Sequence, residues 1–129
     1  MIKGIIFDWV GTLSNESREL FPYSEKVLKE LKTRYKLGLV SLAGHGNKER
    51  REDIEATGVR QFFDSIIIDT SKKPEHYIRC MEEMGTTAAT TAIVDDRTVR
   101  RIQIGNQLGC TTFWIQKGKY ATEIPNRET

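Results

Sequence analysis

Asp8 closes an apolar run, Ile5-Ile6-Phe7, and Trp9-Val10-Gly11-Thr12 follows at once, so a carboxylate, a glycine and a hydroxyl share one tight stretch. A carboxylate delivered at the mouth of a buried strand can act as a nucleophile or hold a hard cation such as Mg²⁺. Three further places carry partners for it: Ser41 ends Leu39-Val40, Lys73 precedes Pro74, and the pair Asp95-Asp96 ends Ile93-Val94. If Asp8 and the Asp95-Asp96 pair share one crevice, their oxygens suit a partly hydrated Mg²⁺. The ammonium of Lys73 and the hydroxyl of Ser41 suit an anion such as phosphate.

These residues meet only if the elements beneath them belong to one sheet. Short apolar runs alternate with amphipathic stretches along the chain, the pattern of a parallel sheet with helices on both faces. Strands are predicted at Lys3 to Asp8, Leu37 to Leu42, Ser65 to Ile68, Ala92 to Val94 and Thr112 to Ile115. Ser24 is placed to cap a helix burying Val27, Leu28, Leu31 and Tyr35, and Asn47 to cap a second carrying Ile54 and stopped by Gly58. A third helix is predicted from Pro74, burying Tyr77, Ile78, Met81 and Met84 and stopped by Gly85, and a fourth from Thr98 to Leu108, stopped by Gly109. Ligands of such sheets bind at the carboxyl ends of strands, beside the point where strand order reverses. Asp8, Ser41 and Asp95-Asp96 all fall at such ends.

The 129 residues, 38% hydrophobic and 29% charged, predict one domain spanning 1–129 with a core large enough to fold, and a loose tail over about 120–129. With 20 basic and 18 acidic residues the net charge of +2 gives no indication of a nucleic-acid partner, and no apolar stretch approaches membrane-spanning length. Cys80 and Cys110 lack metal-ligand spacing and read as reduced structural thiols. Nothing resembles a signal peptide, so a cytoplasmic setting is expected.

Taken in order, these stretches resemble the haloacid dehalogenase superfamily, whose best-known activity is Mg²⁺-dependent phosphate-ester hydrolysis through an aspartyl-phosphate. The resemblance spans nearly the whole chain. Asp8-Trp9-Val10-Gly11-Thr12 is similar to the first motif, a strand followed by Asp-x-Asp-x-Thr, and implies Asp8 as nucleophile with Thr12 orienting the phosphoryl group. Ser41 resembles the hydroxyl of the second motif, with Leu42 beside it in the substrate-binding set. Lys73 resembles the lysine of the third, and Asp95-Asp96 the acids of the fourth. The implied Mg²⁺ ligands are Asp8, the carbonyl of Val10, and Asp96 ahead of Asp95. The implied fold is a three-layer α/β/α, Rossmann-like domain with a five-stranded parallel sheet in the order 5-4-1-2-3.

Two positions depart from the family pattern. Val10 stands where its phosphatases carry a second Asp, the general acid and base, and loss of such help costs roughly 10² to 10⁴ in rate. Arg101 stands where a second acid often follows the fourth motif. The segments between motifs, Leu13 to Lys36 and Leu42 to Asp69, hold a short flap and single helices but no cap domain. A capless crevice suits a phosphorylated substrate that is large or macromolecular, a partner chain acting as lid, or no substrate at all. Two alternatives to the phosphatase expectation follow: a non-catalytic relative binding a phosphorylated ligand or a protein, and a C-halogen or C–P bond hydrolase.

Other charged residues have plainer readings. His45, between Gly44 and Gly46, is placed to swing over the crevice as a replacement acid but reads first as a solvated loop histidine. Arg97, Arg100 and Arg101 oppose the dipole at a helix start and read as paired with nearby carboxylates. Lys48 to Asp53 reads as a mixed-charge helix face.

Overall fold

In the computed structural model, which describes residues 1–44, 46–97 and 101–116, the first apolar run is strand β1 (Gly4–Phe7), buried along its whole length. It lies between β2 (Lys36–Leu42) and β4 (Thr91–Asp95) and is parallel to both. β3 (Ser65–Asp69) extends the sheet beyond β2, and β5 (Thr111–Trp114) extends it beyond β4. The order β3-β2-β1-β4-β5 bears out the expected 5-4-1-2-3 arrangement. Such a strand is continuously apolar because helices cover both its faces.

Side chains alternate across the sheet and sort the core into two layers. Ile5, Phe7, Leu37, Leu39 and Ile68 pack with Leu28 of α1 (Ser24–Leu31) and Ile54 of α2 (Asn47–Thr57). On the other face Ile6, Val40, Ile67 and Ile93 meet Tyr77, Cys80, Met81 and Met84 of α3 (Pro74–Met84). Gly38 lets α3 approach closely, since a Cβ there would come within 2.5 Å of Cys80 Sγ and Met84 Sδ. Both cysteines are buried and free.

The elements depart from expectation in details with physical causes. Ser24 opens α1 rather than capping it, because its hydroxyl donates to the buried Leu13 carbonyl at 2.6 Å. Gly46, not Asn47, is the residue before α2, at φ 116°. Ile78 is 42% exposed, on the outer side of α3, and Cys80 fills the core there. α4 (Gln103–Leu108) is shorter than predicted and follows a turn of π-helix at 101–102, in which the Ile102 N–H donates to the Arg97 carbonyl five residues back at 3.3 Å. The expected start at Thr98, the loop histidine His45 and the tail over 120–129 lie outside the described residues. Gly58, Gly85 and Gly109 end their helices as predicted. Among the described residues no helix is long and apolar enough to cross a membrane.

Candidate active site

Parallel pairing of β1 with β4 decides which side chains meet. Phe7 stands opposite Val94, and the Asp8 N–H donates to the Val94 carbonyl at 3.1 Å, which sets Asp8 beside Asp95. Carboxylate oxygens of Asp8, Asp95 and Asp96 all lie within 4.8 Å of one another. Like charges this close repel strongly away from water, so the cluster needs cations.

The cation the structure supplies is Lys72. Its Nζ donates to Asp8 Oδ1 at 2.6 Å and to Asp95 Oδ2 at 3.2 Å, with the lysine side chain only 2% exposed. Lys73, the residue expected here, is exposed instead and serves as the N-cap of α3, where its backbone N–H donates to His76 Nδ1 at 3.0 Å. Lys73, directly before Pro74, is committed to starting the helix, and Lys72 before it turns inward.

Ionisation follows from this crowding. Burial alone would lower the Lys72 ammonium, but Asp8 and Asp95 outweigh it and hold its pKa above the ordinary value. Burial and then the neighbouring Asp8 charge raise Asp95, and the same two causes push Asp96 up to about 8. Asp95 is already engaged, by Lys72 and by the Arg97 N–H at 3.1 Å. The Asp96 backbone is fixed by Trp114 of β5, whose Nε1 donates to its carbonyl at 2.9 Å. A Cβ on Gly11 would collide with the Asp96 carboxylate, so only glycine, here at φ 89°, leaves that carboxylate its place. Three convergent carboxylates, two of them reluctant to ionise until a positive charge arrives, fit a hard divalent cation.

A pH dependence follows with a definite sign. Asp96 keeps its proton to about pH 8 when folded, whereas an unfolded aspartate gives it up near about pH 4. Between those limits the folded chain binds more protons, so stability falls as pH rises through the window. The thermal midpoint of the metal-free protein is therefore expected to drop from the acid to the alkaline end. Added Mg²⁺ should restore it most at the alkaline end. A midpoint that is flat across the window, or indifferent to Mg²⁺, would contradict the cluster's electrostatics.

Above the carboxylates lies a cavity of about 770 Å³ whose walls include Asp8, Val10, Leu42, Lys72, Asp96 and Arg101. One side is a flap folded from residues 9–23. The Trp9 carbonyl accepts N–H groups from Thr12, Leu13 and Ser14, Ser14 bridges to Leu20, and Asn15 Oδ1 holds the tip through Ser17 and Glu19 N–H groups at 2.8 and 3.0 Å. Arg18, at φ 68° on that tip, reaches Glu49 and Asp53 of α2 at 3.9 and 3.7 Å. Asn15, Glu16, Ser17 and Phe21 face the cavity. Among the described residues the connections on either side of β2 hold this flap, α1, α2 and a short 3₁₀ turn, with no cap domain.

Of the residues singled out from sequence, Asp8, Val10, Leu42, Asp95 and Asp96 share this cavity. Thr12 and Ser41 are each 1% exposed and lie outside its described lining. Among the described residues the Thr12 hydroxyl has no hydrogen-bond partner, while Ser41 Oγ accepts from Arg50 Nη1 at 2.7 Å. Arg50 was not legible as a site residue. It is 6% exposed, and burial lowers its pKa against the opposing pull of Asp53 and Asp8. Its one sequence signal is the four-residue spacing to the core residue Ile54, which puts both on one helix face.

Comparison with known proteins agrees with this geometry. The family model described as haloacid dehalogenase-like hydrolase matches residues 1–115. A Methanocaldococcus jannaschii protein named glyceraldehyde 3-phosphate phosphatase is 34% identical over 106 residues, covering 78% of this chain and 46% of its own length. The chain thus spans about half the length of that relative. Among solved structures, a HAD phosphatase from Thermococcus onnurineus superposes with a TM-score of 0.82 at 17% identity, covering 97% of this chain and 92% of that one. A 2-haloacid dehalogenase from Pseudomonas syringae gives 0.75 at 13% identity, with the same coverage of 97% and 92%. At such identities the likeness is one of fold.

Proposed function

Because the chain belongs to the haloacid dehalogenase-like hydrolases, we propose that it hydrolyses phosphate monoesters through a phosphoryl group carried transiently on Asp8. The observation that carries this reading is the 2.6 Å contact between Lys72 Nζ and Asp8 Oδ1 at the floor of an open cavity. An aspartate that is only to be buried needs no opening, and one that is only solvated needs no buried lysine. The name of the Methanocaldococcus jannaschii relative supports phosphate as the group transferred.

In this reading an Asp8 oxygen attacks phosphorus, the bond from phosphorus to the ester oxygen breaks, and the leaving oxygen takes a proton from water. Lys72 neutralises charge on the nucleophile and the incoming phosphoryl oxygens. Arg50 can only donate, so a Ser41 hydroxyl that accepts from it keeps its own proton, at the end of β2 behind the cavity wall. Asp8, Asp96 and the Val10 carbonyl would hold Mg²⁺, with Asp95 behind them. When bound, that ion would supply positive charge to the phosphoryl oxygens and favour the ionised form of Asp96. Water then cleaves the acyl-phosphate.

The test is turnover of p-nitrophenyl phosphate by the purified chain with and without Mg²⁺. Metal-dependent release of phosphate supports the reading, and its absence at long times removes it. Val10 is the specific observation favouring a second reading, a protein that binds phosphorylated ligands without turnover, since no side chain at that position can protonate a leaving group.

Val10 lines the cavity and is partly exposed, so an aspartate fits there. Val10→Asp is expected to raise hydrolysis of alkyl phosphates by roughly 10²-fold or more, and to do less for an aryl phosphate whose leaving group needs no proton. Equal gains on both substrates, or none on either, would show that the missing acid is not what limits the rate.

A further inference from the structure

Arg101 is 8% exposed, yet among the described residues it has no hydrogen-bond or ion-pair partner. Of the other buried cations, Lys72 is held between Asp8 and Asp95, and Arg50 donates through Nη1 to Ser41 outside the cavity lining. A guanidinium that walls an open cavity with no hydrogen-bond donor taken up by the protein has its fork available to an incoming anion. Its place in the fold says where that anion sits. The π-turn before α4 swings Arg101 into the wall of the main cavity, and the same side chain walls a second cavity of about 470 Å³. The two cavities share Leu42, Lys72 and Arg101, and the second is otherwise lined largely by polar groups, among them Thr70, Ser71, Gln103 and Gln107.

We infer that Arg101 binds a second anionic group on the substrate, so that the crevice selects phosphate esters whose leaving portion carries a carboxylate or a second phosphate lodged in the Thr70-Gln107 lobe. The assignment rests on the hydrolase reading for the phosphoryl end, over Asp8. A guanidinium fork matches either anion bidentately, which a lone ammonium does not. Arg101 is thereby a specificity residue, and its departure from the acidic family pattern acquires a purpose.

The experiment is calorimetric binding, with Mg²⁺ present, of three phosphonates that cannot be hydrolysed: ethylphosphonate, 3-phosphonopropionate and propane-1,3-bisphosphonate. The wild-type chain is expected to bind at least one of the two doubly functional ligands at least tenfold more tightly than ethylphosphonate, and the tighter of the two identifies the anion. Arg101→Met should erase that margin, and Arg101→Lys should keep part of it. Without ligand, Arg101→Met should stay folded, with a cooperative thermal transition; loss of that transition would mean that Arg101 serves the fold and would overturn the inference. So would equal binding of all three ligands by the wild-type chain, or a margin that survives in Arg101→Met, while the hydrolase reading would stand. If the wild-type chain binds none of the three, the phosphoryl site itself fails and the inference with it.

Discussion

Asp8→Asn is expected to abolish metal-dependent phosphate release, by roughly 10⁴-fold or more, while leaving the protein folded. The amide keeps the shape of the carboxylate and can still accept from Lys72 Nζ, now 2.6 Å from Asp8 Oδ1. What it lacks is the charge needed to attack phosphorus. Stability should not fall in proportion, because the Asp8 charge is a cause of the raised pKa of both Asp95 and Asp96. Removing the Asp8 charge lifts a cause of the raised pKa of its two neighbours, which offsets the weakened bond to Lys72. A chelator added to the wild-type chain should reproduce the kinetic loss. Phosphate release and circular dichroism on the same samples decide the matter; an Asp8→Asn chain that still turns over would move the nucleophile elsewhere.

Lys72→Met and Lys73→Met should diverge sharply although they alter adjacent, identical residues. Losing Lys72 leaves Asp8 and Asp95 facing each other with no ammonium between them, in side chains that are 11% and 2% exposed. Removing one partner from a buried charge cluster costs about 3–5 kcal/mol. Turnover should fall with it, since the same ammonium faces the phosphoryl group. Lys73 is exposed and contributes its backbone to the start of α3, so its loss should stay within about 0.5 kcal/mol. Urea unfolding of both variants, run beside aryl phosphate kinetics, separates them. Equal effects, or a larger one at Lys73, would contradict the geometry at the end of β3.

The contrast between these lysines also marks where the sequence stops being informative. The sheet and its order are legible because Ile5-Ile6-Phe7, Leu39-Val40 and Ile93-Val94 are apolar without interruption, which only strands covered on both faces require. Convergence of Asp8 with Asp95 and Asp96 follows from that order. Nothing in Lys72-Lys73-Pro74 says which side chain turns inward, since the two residues are chemically the same and the choice belongs to the turn's backbone. Arg50 was illegible for a different reason. Inside Lys48-Glu49-Arg50-Arg51-Glu52-Asp53 a single inward arginine looks like its solvated neighbours, and only the spacing to Ile54 betrays it. The shortened fourth helix could not be foreseen either, because a π-turn leaves no fixed residue signature at Arg101-Ile102.

The middle position of β1 has a consequence for how the chain is made. Residues 4–7 leave the ribosome before either flanking strand exists, and the flank formed by Thr91–Asp95 arrives more than eighty residues later. Until then Ile5, Ile6 and Phe7 offer one unsatisfied row of backbone groups, a sticky edge of the kind that invites pairing with other chains. A nascent fragment lacking that late strand therefore has neither the full sheet nor a complete acidic cluster, and synthesis, collapse and the birth of the acidic pocket become one late event.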